Sequence, residues 1–159
     1  MGSMMIRSAK ETDIPRLGEL LLQVCRVHHE GRPDLFKEAG RKYDDGQLRE
    51  ILRDPEHVVL VADDGSGVVG YAFCEYQRHS GEEAMCAGTT LYLDDLCVDE
   101  KQRGSGVGTA LYEAAVRHAK ETGCHNVTLN VWARNESAMR FYEKMGLQVQ
   151  KIGMEIVLE

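Results

Sequence analysis

The chain has 159 residues, of which 43% are hydrophobic, and this is enough for one substantial core. It carries 19 Lys and Arg against 26 Asp and Glu, a formal net charge of −7, which argues against a nucleic-acid partner and favours a cationic ligand. We expect a single domain over residues 4–159, and we interpret residues 1–3 as an expression remnant.

Signals for membranes and metals are weak. No apolar run approaches bilayer length and no charged-then-apolar leader precedes the first predicted strand, so we expect a cytoplasmic protein without a membrane partner. The five cysteines include no Cys-x-x-Cys pair, which indicates neither a disulfide framework nor a zinc knuckle. Adjacent His28 and His29 lack partners at ligand spacing, and we therefore expect no metal.

The first third of the chain predicts a strand and two helices. A short strand over residues 5–8 precedes a helix that Thr12 can cap, with Pro15 in the tolerant first turn. A polar link over residues 28–37 leads to a short amphipathic helix over residues 43–52.

A hairpin comes next. The runs at residues 58–62 and 68–76 are rich in β-forming residues, and Asp-Asp-Gly-Ser-Gly at residues 63–67 is typical of the turn between antiparallel strands. Residues 78–88 are polar and contain glycine, so we expect a loop there.

The following strand, residues 89–98, carries Asp94 and Asp95 side by side in an otherwise apolar run. A carboxylate buried without a partner is costly, and adjacent strand residues point to opposite faces unless a bulge intervenes. The two carboxylates therefore either cap a bulge or pair with Arg or Lys, or they take part in catalysis.

A glycine-rich turn over residues 103–108 then opens a helix that Gly123 can end. Residues without Cβ let the backbone approach a ligand closely, and the N–H groups at a helix start suit a phosphate or pyrophosphate. The P-loop spelling fails because no Gly-Lys-Ser/Thr ends the turn. The dinucleotide fingerprint fails because Thr109 stands where glycine is needed.

The last third predicts a strand over residues 126–132, a helix that opens at Asn135 and ends at Gly146, and one or two final strands over residues 149–158. The order strand, helix, strand implies a parallel pair with a right-handed crossover. Gly153 marks a bend or bulge in the tail.

Two patterns together resemble the GNAT superfamily of acetyl-CoA-dependent N-acetyltransferases. Arg103-x-x-Gly106-x-Gly108, after a strand ending Leu96-Cys97-Val98, resembles its acyl-CoA pyrophosphate loop. Asn135-x-x-Ala138-x-x-Phe141-Tyr142-x-Lys144-x-Gly146-Leu147 resembles its second signature, and Tyr92-Leu93-Asp94-Asp95-Leu96 is similar to the equivalent strand of its polyamine acetyltransferases. The resemblance implies an α/β (α+β) fold with a mixed six- or seven-stranded sheet, helices on both faces and a splayed central strand.

The resemblance also implies a co-substrate, acetyl-CoA, and the residues that contact it. A backbone N–H of Leu96 or Cys97 is expected to polarise the thioester carbonyl. Asn135 either contacts the pantetheine or is simply an N-cap, and Tyr142 either approaches the coenzyme sulfur or is a core residue. The expected coenzyme-binding residues are Leu96, Cys97, Val98, Arg103, Gly104, Ser105, Gly106, Val107, Gly108, Thr109, Asn135 and Tyr142.

The chemistry needs a base and an acid. An alkyl ammonium with a reference pKa of about 10.4 must lose a proton before it can attack a thioester. We predict that Asp94 accepts or relays this proton, through a water, with Asp95 as the substitute if a bulge turns its side chain inward. Direct attack then gives an oxyanion held by the strand N–H, and Tyr142 protonates the leaving thiolate.

The acceptor is predicted to be an amine of a small molecule. In the superfamily the segment between the first two helices often lines the acceptor site, so His28 and His29 could touch substrate, although helix-end histidines also cap C-termini. A protein or peptide N-acetyltransferase, a non-catalytic acetyl-CoA sensor, and a subunit acting through protein contacts are the alternatives. Because superfamily members are often homodimers, a homodimer is also expected.

Overall fold

The computed structural model describes residues 4–81 and 84–158, so the predicted expression remnant at residues 1–3 lies outside the described residues. None of the described helices combines the length and the apolar character needed to cross a membrane. Short 3-10 turns occur at Glu11–Asp13 and Glu100–Gln102. The strands and helices are β1 Met5–Ser8, α1 Ile14–Gly31, α2 Asp45–Arg53, β2 His57–Asp63, β3 Val68–His79, β4 Gly88–Val98, α3 Val107–Glu121, β5 Asn126–Thr128 and α4 Glu136–Lys144.

The strands form one mixed sheet in the order β1-β2-β3-β4-β5. The first four strands pair antiparallel, and β4 pairs with β5 in parallel, as the strand-helix-strand order predicted. The turn between β2 and β3 contains Gly65 at φ +95° and Gly67 at φ +151°, which confirms the predicted hairpin.

Helices cover both faces of the sheet, and each face has its own hydrophobic cluster. On one face α1 and α2 place Leu17 and Leu48 against Val61 and Tyr71 of the sheet. On the other face α3 packs against the sheet, and the half-buried Tyr142 of α4 joins that cluster. Each fully buried Leu or Val contributes about 1.5–3 kcal/mol, so these two layers hold the central strands rigidly in place.

The structure differs from the sequence-based predictions in three details: the number of strands, the end of β5 and the N-cap of α1. The described residues form five strands rather than six or seven, because residues 149–158 contain no strand or helix, and β5 ends at Thr128 rather than Trp132. A strand needs a neighbour for its backbone groups, and the described chain offers none to the tail. The first long helix has Asp13 rather than Thr12 as its N-cap, because Thr12 lies in the preceding 3-10 turn.

The central strand β4 is irregular at the aspartate pair. Phe73 of β3 pairs with Asp95 and the next residue, Cys74, pairs with Leu93, so Asp94 is the extra residue of a β-bulge. The β4–β5 ladder covers only residues 90–92 of β4. The C-terminal half of β4 therefore has no ladder partner on its β5 side among the described residues, and this is the expected splay.

Candidate active site

The glycine turn after β4 leaves the first amides of α3 open. Gly104 and Gly106 have φ values of +83° and +87°, in the left-handed region that favours glycine, and Gly106 is the N-cap residue of α3. In the part of the chain that the structure describes, a Cβ at either position would meet nothing within 4 Å, and no side chain caps the helix. The Ser105 hydroxyl donates to the Gln102 carbonyl within the turn. The turn therefore presents N–H groups beside unfilled space.

The remaining loop residues connect the turn to the core. Arg103 is exposed, while Val107 is buried and Thr109 is half-buried. A Cβ on Gly108 would lie 3.5 Å from the Phe141 ring and 3.6 Å from the Val98 side chain. The turn thus rests on the end of β4 and on α4, the two elements that carry the other predicted coenzyme contacts.

Residues 96–98 alternate across β4. Leu96 and Val98 are half-buried on the α3 face, whereas Cys97 is buried on the opposite face with its Sγ 3.7 Å from the Leu20 carbonyl. Burial raises the pKa of the Cys97 thiol to about 12, so the thiol stays protonated at neutral pH. A protonated, buried thiol is a poor nucleophile.

Asp94, the bulge residue, is engaged by two side chains from the segment that precedes α2. Its carboxylate accepts a hydrogen bond from the Tyr43 hydroxyl at 2.6 Å and pairs with the Lys42 ammonium at 2.8 Å. Burial and this carboxylate raise the pKa of Tyr43 above its usual range. The structure therefore shows the ion pairing that sequence reasoning had left open for this residue.

Asp95 lies in a different environment. Its carboxylate accepts a hydrogen bond of 2.7 Å from the hydroxyl of Tyr71, a residue with no exposed surface. Burial raises the pKa of Asp95 to about 6, and the charge of Asp94 adds to the increase, while the Tyr71 hydrogen bond and the Lys42 charge oppose it. Asp95 nevertheless keeps part of its surface accessible. Its pKa of about 6 means that this carboxyl group gains or loses its proton within about one pH unit of neutrality.

Tyr142 of α4 lies within the electrostatic reach of Asp95. Burial raises the pKa of its phenol above the usual range, and the negative charge of Asp95 raises it further. The phenol therefore keeps its proton at neutral pH. The structure places a titratable carboxylate of β4 within electrostatic range of a protonated phenol of α4, although the sequence separates the two residues by 47 positions.

Asn135 is the N-cap of α4. Its side-chain oxygen accepts a hydrogen bond of 3.3 Å from the Ala138 amide, which confirms the capping interpretation. That bond uses the carbonyl oxygen of the side chain, so the side-chain NH₂ group is the part that could reach a pantetheine.

The two histidines have different surroundings. His28 stacks on Phe36 with ring centroids 4.9 Å apart, and Phe36 packs edge-on against Trp132 at 5.2 Å. Burial lowers the pKa of His28, helped by the charge of Lys42, so the imidazole is neutral at pH 7. His29 instead bonds the Phe36 carbonyl through Nδ1 at 2.7 Å and holds the link after α1.

A cavity of about 360 Å³ opens beside this aromatic group. His28 lines it and His29 does not. The cavity lies where the end of α1 meets the segment between β5 and α4. Its lining residues are Val27, His28, Glu30, Gly31, Arg32, Trp132, Arg134, Asn135, Glu136 and Ser137.

Sequence reasoning missed the residues that support these groups. Tyr71, Lys42 and Tyr43 contact the aspartates from 24 to 52 positions away, and no local pattern links them. Asp99 was also missed: it bonds the Lys101 amide and pairs with Arg16 of α1, which anchors the end of β4. In residues 4–81 and 84–158, no group of three His, Cys, Asp or Glu side chains could hold a metal ion.

The sequence and the fold are similar to those of known acetyltransferases. Residues 21–147 match the model of the Acetyltransferase (GNAT) family. The chain is 26% identical to N-alpha-acetyltransferase 30 of Schizosaccharomyces pombe, over 85% of this chain and 82% of that protein. It is 27% identical to thialysine N-epsilon-acetyltransferase of Bos taurus, over 93% of this chain and 86% of that protein. The X-ray structure of a BH1408 tetramutant from Bacillus halodurans matches with a TM-score of 0.92 and 30% identity, over 97% of this chain and 99% of that chain.

Proposed function

The chain belongs to the Acetyltransferase (GNAT) family, and from this premise we propose that it moves the acetyl group of acetyl-CoA to an amine of a small molecule by direct attack. Family membership establishes the enzyme class, an acyl-CoA-dependent N-acetyltransferase, and its co-substrate, acetyl-CoA. The residue roles and the acceptor class are the proposal. One observation carries it: an aspartate with a pKa of about 6, on the strand β4 whose C-terminal half lacks a β5 ladder partner among the described residues, lies within electrostatic range of a protonated tyrosine.

The glycine turn would hold the pyrophosphate of the coenzyme. Among the described residues no side chain caps the start of α3, the space beside Gly104 and Gly106 is open, and the helix dipole of α3 favours negative charge there. Arg103 adds a cation at the same turn. The pantetheine would follow residues 96–98, which have no β5 ladder partner among the described residues, and would reach the side-chain NH₂ of Asn135.

Of the two aspartates predicted for proton acceptance, the contacts favour Asp95. Both carboxylate oxygens of Asp94 are already engaged, one by the Lys42 ammonium and the other by the Tyr43 hydroxyl. Asp95 has a raised pKa and is mostly ionised at pH 7, so it can take a proton from the acceptor ammonium, directly or through a water. Asp94 then assists by its charge, which helps to raise the pKa of Asp95.

The remaining steps use the strand and Tyr142. The freed amine attacks the thioester carbonyl, and a backbone N–H of Leu96 or Cys97 donates to the oxyanion that forms. The intermediate collapses with cleavage of the carbon–sulfur bond. As that bond breaks, the attacking nitrogen releases its second proton to solvent and Tyr142 donates its own proton to the departing CoA thiolate, whose reference pKa is about 8.5. Tyr142 then recovers a proton from solvent, and Asp95 returns to solvent the proton that it took from the ammonium.

The cavity at the end of α1 supports a small acceptor. Its volume of about 360 Å³ lies within the range of small-molecule sites, about 300–1,000 Å³. Its lining carries two carboxylates, Glu30 and Glu136, and two guanidinium groups, Arg32 and Arg134, while Trp132 and His28 supply flat surfaces for the organic part of an acceptor. The similarity to thialysine N-epsilon-acetyltransferase supports the same class of acceptor. The similarity to N-alpha-acetyltransferase 30 supports a peptide N-terminus as the second candidate.

The test is release of free CoA thiol from acetyl-CoA across a panel of small amines and short peptides. We expect turnover with at least one small amine, with formation of its acetylated product by mass spectrometry. If only the peptides are acetylated, the acceptor is a peptide N-terminus rather than a small-molecule amine. Tight acetyl-CoA binding without thiol release for any amine would support a sensor instead.

We also propose that residues 4–159 act as one catalytic domain in a cytoplasmic homodimer. A continuous sheet with a helical layer on each face supports one domain. Dependence on acetyl-CoA and the free thiols of Cys74 and Cys97 fit a reducing compartment. The dimer is supported by the apolar surface of the tail.

A further inference from the structure

Lys42 places an alkyl amine beside the proposed catalytic residues. It lies in the segment between α1 and α2, and its Nζ is 2.8 Å from Oδ1 of Asp94, the bulge residue of β4. Of the seven lysines in the chain, it is the one that pairs with a carboxylate among the described residues. An alkyl amine is also the chemical group that the proposed reaction acetylates.

The charge of Lys42 acts on both sides of the proposed site. Burial raises the pKa of Asp95, the proposed base, and the Lys42 charge opposes that increase. Burial lowers the pKa of His28, which lines the proposed acceptor cavity, and the Lys42 charge lowers it further. The ammonium therefore lies within electrostatic range of both the base and the acceptor cavity, which is where an acceptor amine has to be placed.

The Lys42 side chain has the freedom that an acceptor needs. It is 47% exposed, and within residues 4–81 and 84–158 its ammonium makes one hydrogen bond, to the Asp94 carboxylate. The four-carbon stem of a lysine is flexible. The Leu96 amide, a candidate oxyanion donor, follows Asp94 by two residues, so at about 3.3 Å per residue it lies within about 7 Å along β4. Rotation of the stem can therefore carry Nζ from the carboxylate toward a thioester held at that amide.

We infer that Lys42 is an internal acceptor, and that the enzyme transfers the acetyl group of bound acetyl-CoA to the Nζ of its own Lys42 when no other amine fills the site. We term this reaction self-acetylation. The inference rests on the proposed function, because it uses the same coenzyme, base and proton donor. It adds a site of covalent modification to the chain.

The transfer follows the steps proposed for an external amine. Asp95 takes one proton from the Lys42 ammonium, directly or through a water, and the neutral Nζ attacks the carbonyl carbon of the thioester. A carbon–nitrogen bond forms and the carbon–sulfur bond breaks. The nitrogen releases its second proton to solvent, while Tyr142 donates its own proton to the CoA thiolate. Asp95 and Tyr142 then exchange protons with solvent, and the products are N-acetylated Lys42 and free CoA thiol.

The other six lysines provide an internal comparison for this reaction. Like Lys42, all of them are exposed, so acetyl-CoA in solution reaches each of them. Chemical acetylation without catalysis would therefore label many positions, and the ion pair with Asp94 gives Lys42 no advantage in it, because a paired ammonium holds its proton more firmly. Preferential label at Lys42 would have to come from the catalytic site. The six are Lys10, Lys37, Lys101, Lys120, Lys144 and Lys151.

The experiment incubates the full chain with acetyl-CoA that carries an isotope-labelled acetyl group, with no amine added, and locates the label by peptide mass spectrometry. We expect label at Lys42 at a rate at least about tenfold above that of any other lysine, because a positioned amine reacts faster than an unpositioned one. Lys42→Arg keeps a cation beside Asp94 and should lose that label. Lys37→Arg, the matched control from the same segment, should keep it. Circular dichroism checks that all three proteins are folded.

A mixing experiment separates transfer within one chain from transfer between chains. The Asp95→Asn variant retains Lys42 but lacks the proposed base, whereas Lys42→Arg retains the base but lacks the internal acceptor. In a mixture of the two variants, Lys42 should gain no more label than in Asp95→Asn alone. Label at the wild-type rate in the mixture would show transfer between chains and would overturn the inference.

Thiol release with the panel of small amines is read separately in the same preparation. Absence of label at Lys42 in the wild type overturns self-acetylation, and so does label spread evenly over the seven lysines. If a small amine is turned over in that case, the proposed function remains intact. Label at Lys42 with no amine turned over would instead leave self-acetylation and remove the small-molecule acceptor, so the two proposals fail by different observations.

Discussion

The glycine turn at residues 103–108 and the aspartate pair at Asp94 and Asp95 stand a few residues apart, yet their properties have different physical origins. The turn depends mainly on its own backbone: left-handed glycines at 104 and 106 precede the first amides of α3, and no side chain among the described residues caps that helix. The aspartates depend on residues far away in the chain, since Tyr71 bonds one of them and Lys42 and Tyr43 bond the other.

Asp94 and Asp95 are adjacent in sequence, but their side chains have different surroundings. Asp94 pairs with a cation, whereas Asp95 is placed among buried groups and next to the charge of Asp94. The one-residue bulge makes this possible, because it changes which side of β4 each side chain faces. Coenzyme binding is thus expected to respond to local backbone changes, and proton transfer to changes in distant partners.

The largest expected effect comes from Asp95→Asn. Loss of a positioned base should lower kcat by about 10²–10⁴-fold, while acetyl-CoA affinity by calorimetry stays nearly unchanged. Asp94→Asn is the matched control, and we expect a smaller loss because its carboxylate acts on Asp95 through charge. If Asp94→Asn abolishes turnover while Asp95→Asn retains it, the assignment of the base is reversed.

Replacing Tyr142 by Phe tests the other half of the proton pathway. Removal of the phenolic proton donor should reduce thiol release by about 10²-fold at saturating substrates. Acetyl-CoA affinity should change little, because the ring remains packed against the α3-side cluster. Wild-type turnover in this variant would mean that the thiolate takes its proton from elsewhere.

Gly106→Val tests whether the backbone of the glycine turn binds the coenzyme. A β-branched residue at φ +87° costs on the order of 1–3 kcal/mol, and its side chain enters the space beside the uncapped amides, so acetyl-CoA should bind about 10–100-fold more weakly. Gly65→Val is the control: it imposes similar strain at φ +95° in the β2–β3 turn. Equal affinity losses in both variants would point to general destabilisation.

The smallest expected effect, and the sharpest test of distant control, is Tyr71→Phe. The base must be ionised, so kcat/KM should rise with pH through the Asp95 pKa of about 6. Loss of the Tyr71 hydrogen bond disfavours the carboxylate, and the acidic limb should move upward by roughly one pH unit. Tyr43→Phe, which removes a hydrogen bond to Asp94, should leave the limb nearly in place. Identical profiles for Tyr71→Phe and the wild type would contradict the role of Asp95.

Much of the fold could be predicted because its signals are local. The strand at Met5–Ser8, the β2–β3 hairpin and the helix starting after Gly106 follow from alternation, turn residues and helical spacing. The tail was predicted as strand for the same reason, since its alternation is genuine. Whether such a segment becomes a strand depends on a neighbouring edge, which local pattern does not contain.

The sequence by itself determined the family, the coenzyme loop and the identity of the acidic pair, because these depend on residue types at short spacing. Only the tertiary structure decided which aspartate has its pKa near neutral pH, which residues hold the pair, and that the tail has no strand partner among the described residues. The physical reason is that burial, charge and strand pairing arise between segments far apart in the chain, so they exist only once the chain has folded.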